Sequence, residues 1–252
     1  MSNKKKILAL CLVMALGATL MVGGTLAWFS DTDEVTNTFT VGSVEIEQNE
    51  TNKDGSVFTQ DQQLLPVVEN GKTDPTEFAN FIHKIVTVKN TGKNDAFVQT
   101  FIAVPAALDN GLLHLDVELV SGGWEAVNGG LPVGTTTYDS DNDPLTDNNL
   151  TMNIYQYRYA VALEDGVTSP VLLNGVYIDK AADMDVVNRD ASGNATEAYF
   201  IWNGSEIREY DVAKIEQLPV LVASQAVQAQ GFNSASEALT NAFPNHPWYV
   251  AP

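Results

Sequence analysis

The sequence is short of cysteine, of basic residues and of histidine, and each shortage argues against a class of chemistry. Cys11 is the only cysteine and lies inside an N-terminal apolar run. No disulfide within the chain, no cysteine-based zinc site and no thiol nucleophile is therefore expected. Lysine and arginine number 13 against 32 acids, a formal charge of −19 over 252 residues. Such a chain meets phosphate with like charge, which argues against nucleic acid as a partner. The three histidines, His83, His114 and His246, stand far apart, and neither His-Glu-x-x-His nor Gly-x-Ser-x-Gly occurs. A zinc peptidase needs clustered ligands and a general base beside the metal-bound water. No enzymatic activity and no catalytic residue is expected, and among the many acids nothing singles out a carboxylate pair.

The N-terminus has the layout of an export signal. Lys4, Lys5 and Lys6 precede an uncharged run from Ile7 to Phe29, and Thr25-Leu26-Ala27 offers small residues at −3 and −1. Cleavage is expected between Ala27 and Trp28, leaving 28–252 as a single domain. It removes three lysines and no acid, so the formal charge moves from −19 to −22. The alternative is an uncleaved anchor, since the run is long enough to span a bilayer. The membrane is expected to be met only through that segment, and the mature chain to be extracellular, in a matrix or at the cell surface.

Period-two alternation dominates the rest. Val35, Phe39 and Val41 alternate with threonines, and Val44 and Ile46 with glutamates. A polar loop is read from Gln48 to Gln63, with a turn at Asn52-Lys53-Asp54-Gly55. Strands are predicted from Phe81 to Lys89 and from Ala96 to Val104, joined as a hairpin through residues 90–95. Further strands are read at Leu113 to Leu119, Met152 to Leu163, Val171 to Ile178 and Leu218 to Ala229. Tyr155, Tyr157 and Tyr159 share one face, a pattern that reads as packing. Residues 179–214 are read as loop plus one short strand. Ser234-Ala235-Ser236-Glu237 has capping-box spacing and opens a helix that Pro244 stops. The fold class is mainly β, an antiparallel jelly-roll or Ig-like sandwich with one short C-terminal helix.

One loop has ligand chemistry. Asp139, Asp141, Asp143 and Asp147 place oxygen ligands at short spacing, as calcium takes them. The glycine and the closing glutamate of an EF-hand are replaced by Pro144 and Leu150, and Asp-Asn-Asp-Pro is also ordinary turn chemistry. The loop is thus either a solvated turn or a calcium site; no cofactor is required. Asp183, Asp185, Asn188 and Asp190 form a second acidic group that reads as solvated.

Several segments carry a family resemblance. Gly23-Gly24-Thr25-Leu26-Ala27-Trp28-Phe29-Ser30-Asp31 resembles the junction cut by SipW-type signal peptidases. Phe39-Thr40-Val41-Gly42-Ser43-Val44-Glu45-Ile46 is similar to the strand that follows it in TasA/camelysin (CalY)-like proteins. Val86-Thr87-Val88-Lys89-Asn90-Thr91-Gly92, Ala96-Phe97-Val98-Gln99-Thr100 and Ala226-Val227-Gln228-Ala229-Gln230-Gly231-Phe232 resemble its later segments. The resemblance implies a secreted jelly-roll sandwich, a SipW-type peptidase as processing partner, and self-assembly into biofilm-matrix fibres. Camelysin-type relatives are also catalogued as metallopeptidases, which the histidine spacing does not support. Assembly by β-strand addition needs an extended donor, and Trp28, Phe29, Val35 and Phe39 are its expected side chains. The same segment also reads as the first strand of the chain's own sandwich. A cell-surface binding or adhesion module is the rival reading.

Overall fold

The computed structural model describes residues 30–33, 44–59, 64–119, 123–139, 149–213 and 219–249. Ala27, Trp28, Phe29, Val35, Phe39, Asp141, Asp143 and Asp147 lie outside the described residues. The strands in chain order are β1 (Ser30–Asp33), β2 (Ile46–Thr51), β3 (Ile82–Asn90), β4 (Ala96–Pro105), β5 (Leu113–Val117), β6 (Trp124–Ala126) and β7 (Gly134–Asp139). They continue with β8 (Asn149–Tyr159), β9 (Leu173–Ile178), β10 (Asp183–Arg189), β11 (Ala195–Trp202), β12 (Ser205–Ile207) and β13 (Leu221–Gln228); helix α1 (Ala235–Ala242) follows. The paired strands run antiparallel, so the chain is mainly β as its alternation predicts.

Two sheets enclose the main core. The first runs β1-β13-β4-β8-β6 with β7 also on β8, and the second runs β2-β3-β9-β5. On β3 the even-numbered residues, from Ile82 to Asn90, are buried and the odd ones are half-buried, which is the period-two pattern of a sheet with one covered face. Val86, Val88, Val176 and Ile178 meet Val98, Ile102 and Tyr157 in one apolar cluster. Trp124 enters it and donates from Nε1 to the carbonyl of Pro170 at 3.1 Å.

Strand β4 is buried on both faces. Its outer side, with that of β13, is covered by α1, where Phe97 and Val227 pack on Ala235, Ala238 and Leu239. Ser234 caps the helix by accepting from the Glu237 amide at 3.2 Å. The Glu237 carboxylate reaches back one residue further than a standard capping box, accepting from the Asn233 amide at 3.2 Å.

In three places the fold departs from what the sequence pattern predicts. β3 and β4 do not form a hairpin: β3 pairs with β2 and β9, and β4 with β13 and β8. Buried Asn90 turns the chain from one sheet to the other, donating to the carbonyls of Asn94 and Leu163 at 2.8 Å each and accepting from the Gly92 amide at 3.0 Å. A strand covered on both sides must lie between two layers, which a hairpin partner in the same sheet does not supply. Second, β2 continues through Gln48 to Thr51, where the polar composition predicts a loop, because ladder pairing with β3 outweighs that composition. Third, residues 183–207 form a third sheet, β10-β11-β12, where the sequence pattern predicts loop plus one short strand. Its β10 is exposed at six of seven positions, so it lacks the alternation that signals a strand.

Candidate assembly interface

The N-terminal strand sits at the edge of the first sheet. β1 pairs with β13 from Ser30 opposite Val227 to Asp33 opposite Ser224. Among the described residues, this pairing covers Ser224 to Val227 of the eight-residue β13. On its other side β13 is paired along its whole length, from Leu221 opposite Ala103 to Gln228 opposite Ala96.

At the same margin of the sandwich the second sheet ends in β2, and the gap between the two sheets is polar. Ser224 of β13 is fully buried and its Oγ lies 2.9 Å from Thr100 Oγ1. It also donates to Gln48 Oε1 of β2 at 2.7 Å. Gln48 Nε2 donates to the carbonyl of Val222 at 3.2 Å and to Glu50 Oε1 at 2.9 Å. Glu50 pairs with Lys84 of β3, whose side chain is only 6% exposed. The Lys84 ammonium also stands 4.4 Å from the centre of the Phe58 ring. A continuous chain of polar groups thus runs from Thr100 through Ser224, Gln48 and Glu50 to Lys84. Buried polar groups keep their energy only while each has its partner.

The outer face of the second sheet gathers two of the three histidines that the sequence keeps apart. His83 on β3 and Asp116 on β5 both lie opposite Gly175 on β9, and His114 on β5 lies opposite Tyr177. The His114 ring stacks on Tyr177 with centroids 4.7 Å apart, and its Nε2 is 3.2 Å from Asp179 Oδ2. Burial holds His83 below the ordinary histidine value, and burial holds Asp116 above the ordinary carboxylate value. His246 is elsewhere, its ring against Gly134 of β7. Among the described residues no group of three or more His, Cys, Asp or Glu side chains is placed to hold a metal ion.

The acidic loop is placed only at its root. Asp139 ends β7 opposite Asn149, the first residue of β8, so Asp141, Asp143 and Asp147 belong to the connection of a hairpin. Asp183 and Asp185 lie on β10, and Asp190 caps the β10–β11 turn by accepting from the Ser192 and Asn194 amides at 2.8 Å each. The Asn194 side-chain amide, which donates to Asp190 Oδ2 at 3.0 Å, and then these turn amides hold the Asp190 carboxyl below its ordinary range.

The family model for camelysin metallo-endopeptidase matches residues 2–57. This N-terminal part of the chain is camelysin-like. The match runs from the apolar N-terminal run through β1 and β2, the two strands that flank the polar margin. No histidine occurs within the matched camelysin-like stretch, the first being His83. No curated protein and no solved structure matches the chain.

Sequence reasoning missed Gln48, Glu50 and Lys84. A buried lysine leaves one signal in the sequence, a charged residue at an inward position of an otherwise apolar alternation, Ile82-His83-Lys84-Ile85-Val86.

Proposed function

We propose that the chain is a secreted structural protein, a biofilm-matrix fibre subunit assembling by β-strand addition after a SipW-type peptidase cuts between Ala27 and Trp28. The observation that carries this reading is the placement of β1. The first described strand after the expected cut lies at a sheet edge, paired with Ser224 to Val227 of β13. An edge strand next to a chain terminus is the element most easily exchanged between copies, because only one ladder of main-chain bonds is broken and remade. The camelysin-like match over this region supports the same reading.

The donor side chains proposed are Trp28, Phe29, Val35 and Phe39, and alternate side chains of a donated strand would fix its register. The contact is head-to-tail and does not close, so it propagates into a fibre. The charge of about −22 opposes it, so acid or added calcium speeds assembly and low salt slows it.

The test is light scattering and negative-stain microscopy of the chain from Trp28 beside a deletion of residues 28–34. Fibres from the first and a folded monomer from the second support the reading. Equal fibre formation by both, or none by the full mature chain at any pH or calcium level, overturns it and favours a surface binding module. The peptidase named by the family description is a third reading, and metal-dependent cleavage of a peptide substrate by the purified chain would establish it.

A further inference from the structure

We infer that Arg158 is the receptor for a carboxylate monoanion on the outer face of the first sheet. The site is separate from the polar margin and does not depend on the strand-addition reading. The chain has three arginines. Arg208 pairs with Glu206, and Arg189 donates to the carbonyl of Gly193 at 2.8 Å. Arg158 makes no hydrogen bond or ion pair among the described residues, and its Nε is covered without an acceptor. Carboxylates are not scarce, since the chain carries 32 acids. A covered, charged donor is normally matched by a partner, so an unmatched one marks a place for an ion.

Register places the groups around it. Gln225 of β13, Gln99 of β4, Arg158 of β8 and Glu125 of β6 lie directly opposite one another, in a row across four strands. Phe97 and Val227, two residues along from Gln99 and Gln225, pack under α1, which puts the row on the outer face. Gln99 and Gln225 are 1% and 4% exposed. Gln99 Nε2 donates to Gln225 Oε1 at 2.8 Å, and Gln99 Oε1 accepts from Gln156 Nε2 at 2.7 Å. The amide on one side of Arg158 is thus engaged at both of its ends. Glu125 on the other side is exposed and forms no ion pair with it. Burial presses the Arg158 guanidinium below its ordinary value, and the Glu125 charge opposes that shift.

The ligand class follows from the donors. A guanidinium fork matches the two oxygens of a carboxylate in one plane. Nε is the covered nitrogen, so the two Nη nitrogens form the open side of the fork. Glu125 places one negative charge in the next strand, which opposes a phosphate dianion more than a monoanion. The carboxylate can belong to a small organic acid or to the C-terminus of a peptide, and its chemistry at Arg158 is the same.

The experiment is NMR of the isotope-labelled chain from Trp28, read at the arginine Nε–H signals. Three such signals are expected, and Arg158→Gln identifies one by its loss. The chain is titrated with sodium acetate at constant ionic strength, with sodium chloride as the control. The Arg158 signal is expected to move saturably with acetate, at least about threefold further than with chloride, while Arg189 and Arg208 stay in place. Arg158→Lys keeps the charge without the fork and is expected to weaken acetate binding at least about fivefold, read from the rise in melting temperature that acetate gives. It also supplies the assignment if Arg158→Gln fails to fold. Glu125→Gln removes the neighbouring charge and is expected to tighten acetate binding about twofold. Acetyl-dialanine with a free carboxylate, beside its C-terminal amide, separates the two sources. Tighter binding than acetate assigns a peptide terminus, and equal binding assigns a small acid. An Arg158 signal that moves no further in acetate than in chloride, equal movement of all three arginines, or an equal response to the peptide amide overturns the inference. So does Glu125→Gln if it shifts the Arg158 signal without acetate as far as acetate does in the wild type, because Glu125 then already occupies the fork.

Discussion

The Phe81 ring lies directly over Gly175. A Cβ at position 175 would stand 2.5 Å from Phe81 Cε1 and 2.2 Å from the carbonyl oxygen of Ile82. The first contact is with a side chain that can move, the second with β3 backbone that is fixed by its ladders. Gly175 is thus required by close approach, and it lets Phe81 fold onto β9 between His83 and Tyr177, with ring centroids 4.8 and 5.8 Å away. Gly175→Ala is expected to cost about 2–3 kcal/mol, the upper part of the range for overpacking a filled site. Urea unfolding monitored by tryptophan fluorescence measures it, and a loss below about 0.5 kcal/mol would show that β3 and β9 part easily.

Lys84 and Glu50 form the second test. Lys84 is buried on the inward side of β3, so removing its partner strands a charge. Glu50→Gln is expected to destabilise by about 3 kcal/mol, whereas the double change Glu50→Leu with Lys84→Met recovers most of that loss. Thermal unfolding of the three chains at pH 7 decides it. A double variant no more stable than Glu50→Gln would mean that the pair gains more from its hydrogen bonds than burial costs it.

Acid and base act in opposite directions on the outer face of the second sheet. Burial, assisted by Asp74 and Glu118, holds Asp116 above the ordinary value of 3.8. Its contribution to stability is therefore complete below pH 3.8 and is lost as pH rises through the native value. Asp116→Asn is expected to raise the melting temperature at pH 7 and to give no gain below pH 3.8. Burial lowers His83 from 6.5, so its contribution is present above that pH and is lost as pH falls through the native value. His83→Gln is expected to flatten the stability profile just below pH 6.5. Melting curves from pH 3 to pH 8 give both; a decline in His83→Gln as steep as in the wild type would refute the assignment.

Calcium is tested at the loop between β7 and β8. If Asp139, Asp141, Asp143 and Asp147 hold the ion, calcium at a hundredfold its dissociation constant adds about 2.7 kcal/mol to the native state. The melting temperature of the wild type then rises with calcium, and Asp141→Ala abolishes most of the rise. A wild type that melts at the same temperature with and without millimolar calcium leaves the loop as a turn.

Much of the architecture is readable from local pattern alone. Alternation of period two marks β3, β5 and β8, because a half-buried strand must send successive side chains to opposite faces. Ser234 and Glu237 mark the start of α1, since the cap is made within one turn. The assignment of strands to sheets is not local. Nothing in residues 90–95 says that the chain changes layer there; that follows from which distant strands cover β4 and from Leu163, whose carbonyl takes the Asn90 amide. The same holds for the candidate sites. Ser224 and Gln48 are 176 residues apart, and Lys84 and Glu50 are 34 apart. Composition and short-range pattern determined the β character, the acidic charge and the caps, because those depend on neighbours in the chain. Only the tertiary structure decided the layer order, the polar margin and the gathering of His83, His114 and Asp116, because a side chain's partner across a sandwich is set by topology and register.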